Sequence, residues 1–350
     1  MPYLSRMSRR SLTLLIASIG TAAAIAVTVL IPVPYVILGP GPTLNTLGKD
    51  SSGQQLITIA GHPTHPATGH LNMVTVSYAG GPGSSVNIFS ALEAWLNPDE
   101  AVVPQQELFP SGQTQQQVQQ QDTAQMASSQ QLATAAALTE LHIPYVTLVT
   151  VGQTSKGMPA ASVLKPGDII IAVDGKPVTS DTGLTTLIRS HPAGTRLEFT
   201  IKRNGKTQQV GITTVPFQGH PVIGIGAIDN YKFPFTVKIS IGDIGGPSAG
   251  LMFALGIIDK LTPDNLTGGK FVAGTGEIEP SGKVDPIGGI QQKMVGARNA
   301  GATIFLAPAG NCADTKGAVP SGLRLVKVST LDQAVHDLEA IKAGQPVPSC

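Results

Sequence analysis

Residues 239–259 read "ISIGDIGGPSAGLMFALGIID". A β-branched run leads into a Gly-rich turn, and an apolar helix pattern follows the turn. Gly246-Pro247-Ser248-Ala249-Gly250 spells G-x-S-x-G, the strand–turn–helix setting of a nucleophilic serine. Pro247 fixes the turn and Ser248 stands at a helix start. Backbone N–H groups there are free to hold an oxyanion, so Gly246, Pro247 and Ala249 are the candidate turn and oxyanion residues. The open question is which group takes the serine proton.

A Ser-acid-His order requires a histidine downstream, and His336 supplies one. It lies in "LDQAVHDLEAI", a charged helix pattern whose ordinary reading is a solvated face. Lysine is the other base. A free lysine titrates near 10.4, and lowering that by about 3 units takes roughly 4 kcal/mol of burial among apolar atoms. Lys293 meets that condition on the pattern "GGIQQKMVGARNAG", on one helix stripe with Ile290, Met294 and Ala297. A solvent-facing lysine is the ordinary alternative for such a helix.

"GGPSAG" followed by "GTGEIEPSGKVDPIGGIQQKMVGARNAGATIFLAP", residues 274–308, resembles the proteolytic domain of the Lon family of serine proteases. The resemblance implies Ser248 as nucleophile, Lys293 as its base and Thr275 as support for the dyad. One departure is present: the family often has Asp-Gly-Pro-Ser, and here residue 245 is Gly, with Asp243 nearby. The family's proteases also carry an ATPase. This sequence has no phosphate loop: "NGKT" at 204–207 lacks the Gly required at residue 200, which is Thr.

A second grammar occupies residues 140–217. "YVTLVTV" reads as a strand. "GMPAASVLKPGDIIIAVDGKPV" reads as a short helix, a turn, a buried strand and another turn. "SDTGLTTLIRSH" is a helix capped by Ser180 or Asp181, and Asn204-Gly205 turns a hairpin. "PAASVLKPGDIIIAVDGKPV" resembles a PDZ domain, which implies a groove where an extended peptide adds a strand to a sheet edge. No Gly-Leu-Gly-Phe-like run precedes Val146 to hold a peptide carboxylate.

Arg6, Arg9 and Arg10 precede an uncharged run from Ser11 to Leu38. Twenty residues, Leu12 to Ile31, span a hydrocarbon core of about 30 Å. A single-pass transmembrane helix over residues 11–33 is expected. The arginines keep the short tail 1–10 in the cytoplasm of a bacterial cell and the bulk of the chain outside. A cleaved signal peptide, with Ala24-Ile25-Ala26 as the processing site, is the rival. Outside the cytoplasm Cys312 and Cys350 could form a disulfide; two unrelated thiols are the alternative.

Residues 34–139, the N-terminal segment outside the membrane, are expected to be part of the protease domain. "GHLNMVTVS" and "MASSQQLATAAAL" resemble the Gly-x-Leu strand and Met-x-x-Ser helix that precede the serine motif in Lon-type domains. The glutamine-rich segment 105–131 could be low-complexity, but Met126, Leu132, Ala135 and Leu138 recur at helical spacing, so Gln115 to Leu141 reads as a helix. "SVNIFSALEAWL" reads as another, capped by Ser84 or Ser85. If the two likenesses hold, the PDZ-like block is inserted within the protease domain, which resumes over residues 218–343 and leaves a tail, 344–350.

The net charge of +1 and charged fraction of 13% give no footing for nucleic acid. His62, His65 and His70 lie in a proline-broken run with no cysteine or carboxylate, a poor metal set. The fold class expected is therefore an α/β (α+β) Lon-type domain plus a β-barrel-like PDZ domain, behind one transmembrane helix. The function expected is an ATP-independent Ser/Lys endopeptidase. A PDZ adaptor with an inert protease domain, or an esterase relying on His336, are the alternatives. The expected partners are polypeptides and the membrane. No cofactor, metal, nucleotide or nucleic acid is called for, and an oligomer is left open.

Overall fold

A computed structural model describes residues 8–50 and 52–350; in the first helix the side chains of 25–30 fall outside the described set. Arg6 and most of the tail expected over 1–10 lie outside it too. The chain folds into two units, one of residues 1–141 with 237–350, the other of residues 142–236.

The first unit opens with α1 (Arg9–Leu30), β1 (Pro32–Val33), β2 (Tyr35–Asn45), β3 (Ile57–Ala60), β4 (His70–Ala79) and β5 (Val86–Asn87). It continues with α2 (Ile88–Leu96), β6 (Ala101–Pro104), α3 (Gln105–Leu108) and α4 (Gln115–Glu140). A transmembrane helix is expected over 11–33. Among the described residues no helix is long and apolar enough to cross a membrane. Every described side chain of α1 is exposed. The cap of α2 is Asn87, whose side chain accepts from the Ser90 N–H. Ser84 and Ser85 do not cap it, because residues 86–87 are drawn into β5 by pairing with β1. Thr114 and Gln117 form a capping box at the start of α4.

The second unit contains β7 (Val146–Thr154), β8 (Ile169–Val173), β9 (Lys176–Pro177), α5 (Asp181–Arg189), β10 (Arg196–Arg203) and β11 (Lys206–Thr213). It ends with β12 (Val215–Phe217), β13 (His220–Val222) and β14 (Ile225–Lys232). Ser180 caps α5, and the β10–β11 hairpin turns at Asn204-Gly205 with φ of 50° and 80°. The sequence reading ends this block at 217. In the structure β14 pairs antiparallel with β7, so the sheet runs β11-β10-β8-β7-β14 and the unit extends to 236. Phe199, Leu197, Ile201 and Leu184 are fully buried at its core.

The chain then returns with β15 (Thr236–Ile239), α6 (Gly250–Leu261), β16 (Phe271–Gly274), β17 (Glu277–Ile278), β18 (Val284–Asp285) and α7 (Ile290–Asn299). β19 (Ile304–Pro308), β20 (Arg324–Val328) and α8 (Leu331–Lys342) complete it. The main sheet has the order β20-β19-β16-β4-β2-β6. β4, β16, β19 and β20 run parallel, and the apolar runs of the two central strands, β16 and β19, are buried on both faces. Val74, Ala273, Phe305 and Ala307 point to one face, where Ile290, Met294 and Ala297 of α7 cover them. α6 packs on the sheet through β4 and β16, and α4 and α8 pack on α6. β4 thus joins residues 70–79 to the sheet of β16, and α4 lies against α6. Cys312 and Cys350 are bonded, with an S–S distance of 2.04 Å, and fasten the C-terminal tail.

Candidate active site

α6 is buried along almost its whole length, which holds its first turn in place. Ala249 is its N-cap, with no side-chain hydrogen bond to the first turn, so Ser248 stands at an uncapped helix start. Across from it, α7 presents Ile290, Lys293, Met294 and Ala297, an i, i+3, i+4, i+7 stripe, to the interior. The lysine therefore occupies a core position and is only 4% exposed. Thr275 follows directly on β16 and is wholly buried. It sits beyond the carboxyl end of a parallel strand, the usual place for a site in an α/β sheet.

The three side chains meet. Lys293 Nζ donates to Ser248 Oγ at 2.8 Å and to Thr275 Oγ1 at 3.1 Å. Thr275 Oγ1 donates to the Ser248 carbonyl at 2.9 Å, and the Gly276 N–H donates to the same carbonyl at 2.8 Å. The serine backbone is thus gripped while its hydroxyl faces the amine. Burial pushes the Lys293 amine down from 10.5 to about 8, against the opposing pull of the Glu277 charge. A near-neutral pKa is what a general base needs.

Of the turn residues, Pro247 has no N–H, and Gly246 spends its N–H on the Asp122 carbonyl at 3.2 Å. The Pro247 carbonyl accepts from Ser129 Oγ at 2.9 Å, which ties the turn to α4. Ala249, the N-cap of α6, lines the cleft beside Ser248. His336 lies exposed on α8. His70 stacks on Phe271 with ring centroids 4.4 Å apart.

Two acids escape the sequence reading. Glu277 lines the same cleft as Ser248 and Lys293. Burial raises its carboxyl, Asp285 pushes the same way and Lys293 opposes. Asp122 reaches the cleft from α4. A Cβ placed on Gly245 would lie 2.5 Å from Asp122 Cβ and 3.2 Å from its Cγ. The space where the family carries an acid in the loop is therefore filled by a carboxyl from another helix, and burial raises its pKa. No local pattern in "QQQDTAQM" signals this, because Gly245 comes more than a hundred residues later in the chain. The cleft has a volume of about 500 Å³.

In the second unit a cavity of about 360 Å³ lies between α5 and β14, walled by Leu184, Ile188, Met158 and Ile223. β14 is at the end of the sheet, so its outer edge is open to a further strand. Ile223-Gly224 leads into β14 at Ile225, and Gly224 has φ +82°.

Residues 238–340 match the model of the Lon protease (S16) C-terminal proteolytic domain. The chain carries a Lon-type proteolytic domain. Residues 116–214 match the PDZ domain model, so a PDZ domain is present as well; that match begins inside α4, which packs in the first unit. A Lon protease of Heliobacterium modesticaldum is 33% identical over 133 residues, 35% of this chain and 16% of that protein. Lon protease 2 of Herpetosiphon aurantiacus is 30% identical over 179 residues, 48% of this chain and 20% of that protein. This chain therefore spans at most a fifth of those relatives. A crystal structure of the PDZ domain of an SdrC-like protein from Listeria monocytogenes is 30% identical; it covers 23% of this chain and 86% of that one, with a TM-score of 0.22. The Lon-type domain and its relatives support a serine peptidase.

Proposed function

We propose that this chain is a membrane-anchored, ATP-independent serine endopeptidase in which Lys293 activates Ser248, with the PDZ domain binding or gating its polypeptide substrates. The observation that carries the reading is the 2.8 Å contact between a 4% exposed amine and the serine hydroxyl. With Lys293 neutral, its lone pair takes the Oγ proton as Oγ attacks the peptide carbonyl. The oxyanion forms beside the start of α6, where the Ala249 N–H and the helix dipole favour negative charge. Lys293 then returns the proton to the leaving amine, and water hydrolyses the acyl-enzyme by the reverse proton path. Thr275 positions the amine and the Ser248 backbone throughout.

ATP independence rests on the lack of any phosphate-binding loop in the 350 residues. Anchoring rests on the uncharged run after Arg9 and Arg10 and on an α1 whose described side chains are all exposed. The arginines before the run orient the bulk of the chain to the outside. The Cys312–Cys350 bridge suits that oxidising side. The open edge of β14 beside its cavity suits an extended peptide.

A fluorophosphonate probe on the full chain tests the dyad. Labelling should map to Ser248 and vanish in Ser248→Ala and Lys293→Ala, with His336→Ala unchanged. Peptide cleavage should follow the same pattern, since residues acting as a unit lose nearly everything singly. Loss of labelling in His336→Ala would hand the site to an esterase mechanism. No labelling of the intact chain would make the domain inert.

A further inference from the structure

The helix α2 is turned inside out. Its apolar residues Ile88, Phe89, Leu92, Trp95 and Leu96 are 50%, 61%, 54%, 72% and 71% exposed. At 100° per residue they fall on one stripe about 120° wide. The face turned to the protein is made of small residues instead, with Ala94 buried at 2% and Ser90 and Ala91 half-buried. A surface helix of a soluble protein points its apolar stripe at the core; this one points it away, and five large side chains in one stripe form a patch that calls for a partner.

The structure indicates what that partner is. α1 leaves through Ile31, which is 53% exposed, into β1. β1 pairs at once with β5, Pro32 opposite Asn87 and Val33 opposite Val86. Paired strands lie about 4.8 Å apart, and β5 runs straight into α2 at Ile88. The first turn of α2 is thereby pinned within about one strand spacing of the end of α1. The two helices touch, and Tyr35, just beyond β1, is itself 41% exposed.

We propose that α2 is an interfacial helix that lays Ile88, Phe89, Leu92, Trp95 and Leu96 into the lipid surface where α1 enters it. The proposal rests on the anchoring reading above. An amphipathic helix of this kind buries its apolar face about 5–10 Å into the headgroup and acyl boundary, and tryptophan prefers that depth. The β1–β5 pair would hold the first unit against the bilayer in a fixed orientation, whereas a tether alone would let it swing.

Trp95 is the sole tryptophan of the chain, so its fluorescence reports this helix directly. The full chain is reconstituted in phosphatidylcholine–phosphatidylglycerol vesicles and floated. Trp95 emission should shift to the blue, resist acrylamide, and be quenched more strongly by a lipid spin-labelled near the headgroup than by one labelled at the chain end. The double variant Leu92→Asn/Leu96→Asn should still float through α1 and keep its far-UV circular dichroism, while Trp95 becomes open to acrylamide. A chain that floats with Trp95 in water overturns this proposal and leaves anchoring intact. A chain that does not float overturns both. A blue shift without lipid quenching, lost on dilution into excess vesicles, would assign the face to a second copy of the chain and overturn the lipid assignment.

Discussion

Replacing Lys293 by Met should abolish peptidase activity and stabilise the fold at neutral pH. The wild-type amine, 4% exposed, is pushed by burial from 10.5 to about 8. That displacement is worth roughly 3 kcal/mol. In the unfolded chain the amine holds its proton up to about 10.4; in the native state it releases it near 8. Between these values the unfolded chain binds more protons, so stability rises with pH across the window. Below about pH 8 the native state must carry a buried cation, and the full cost stands. Methionine removes that cost but forfeits the bonds to Ser248 and Thr275, each worth about 1 kcal/mol. The variant should therefore gain about 1–3 kcal/mol at pH 7, and the gain should vanish as the pH passes about 10. Urea unfolding of both proteins at pH 7 and pH 10 measures it. In parallel, wild-type kcat/KM should rise about fivefold from pH 7 to pH 8 and level off above pH 9, following the neutral amine. A variant less stable than wild type at pH 7, or a gain that does not shrink with pH, refutes the burial argument. A rate still climbing tenfold per pH unit above pH 9 refutes the lowered amine.

Thr275→Val should cut kcat/KM by about 10–100-fold through loss of one or two positioning bonds, while Thr275→Ser recovers most of it. An unchanged pH profile with unchanged rate in Thr275→Val would remove the threonine from the site. Gly245→Asp, which restores the family's spelling, should give no gain in activity and lower stability by about 1–3 kcal/mol, because its Cβ would stand 2.5 Å from Asp122 Cβ; a faster enzyme would show that the loop can move aside. Cys350→Ser opens a 38-residue loop and should cost up to about 4 kcal/mol in denaturant under non-reducing conditions. Dithiothreitol should bring the wild type to the same midpoint and leave the variant unmoved; equal midpoints without reductant would mean the bridge constrains nothing.

Local features of the chain carried much of the site. The turn at Gly246-Pro247 and the helix after it are written in adjacent residues, and the stripe Ile290, Lys293, Met294, Ala297 is written within about two helical turns. Asn204-Gly205 and Ser180 likewise act over two or three residues. Such signals need no knowledge of what packs where. The cap of α2 was misread for the opposite reason: its choice of Asn87 over the serines follows from β1, a strand more than fifty residues earlier in the chain.

By itself, the sequence determined which residue types stand at which turn and helix position, because dihedral preference and periodicity are properties of short segments. Only the tertiary structure decided that β4 lies beside β16, that the Asp122 carboxyl fills the space at Gly245, that the Gly224 loop precedes an edge strand, and that the apolar stripe of α2 faces outward. Each of these depends on segments far apart in the chain closing on one another. The lysine shows the difference most sharply. Its place on an inward stripe is local, but its lowered pKa exists only once α6, α7 and the end of β16 have together excluded water from around it.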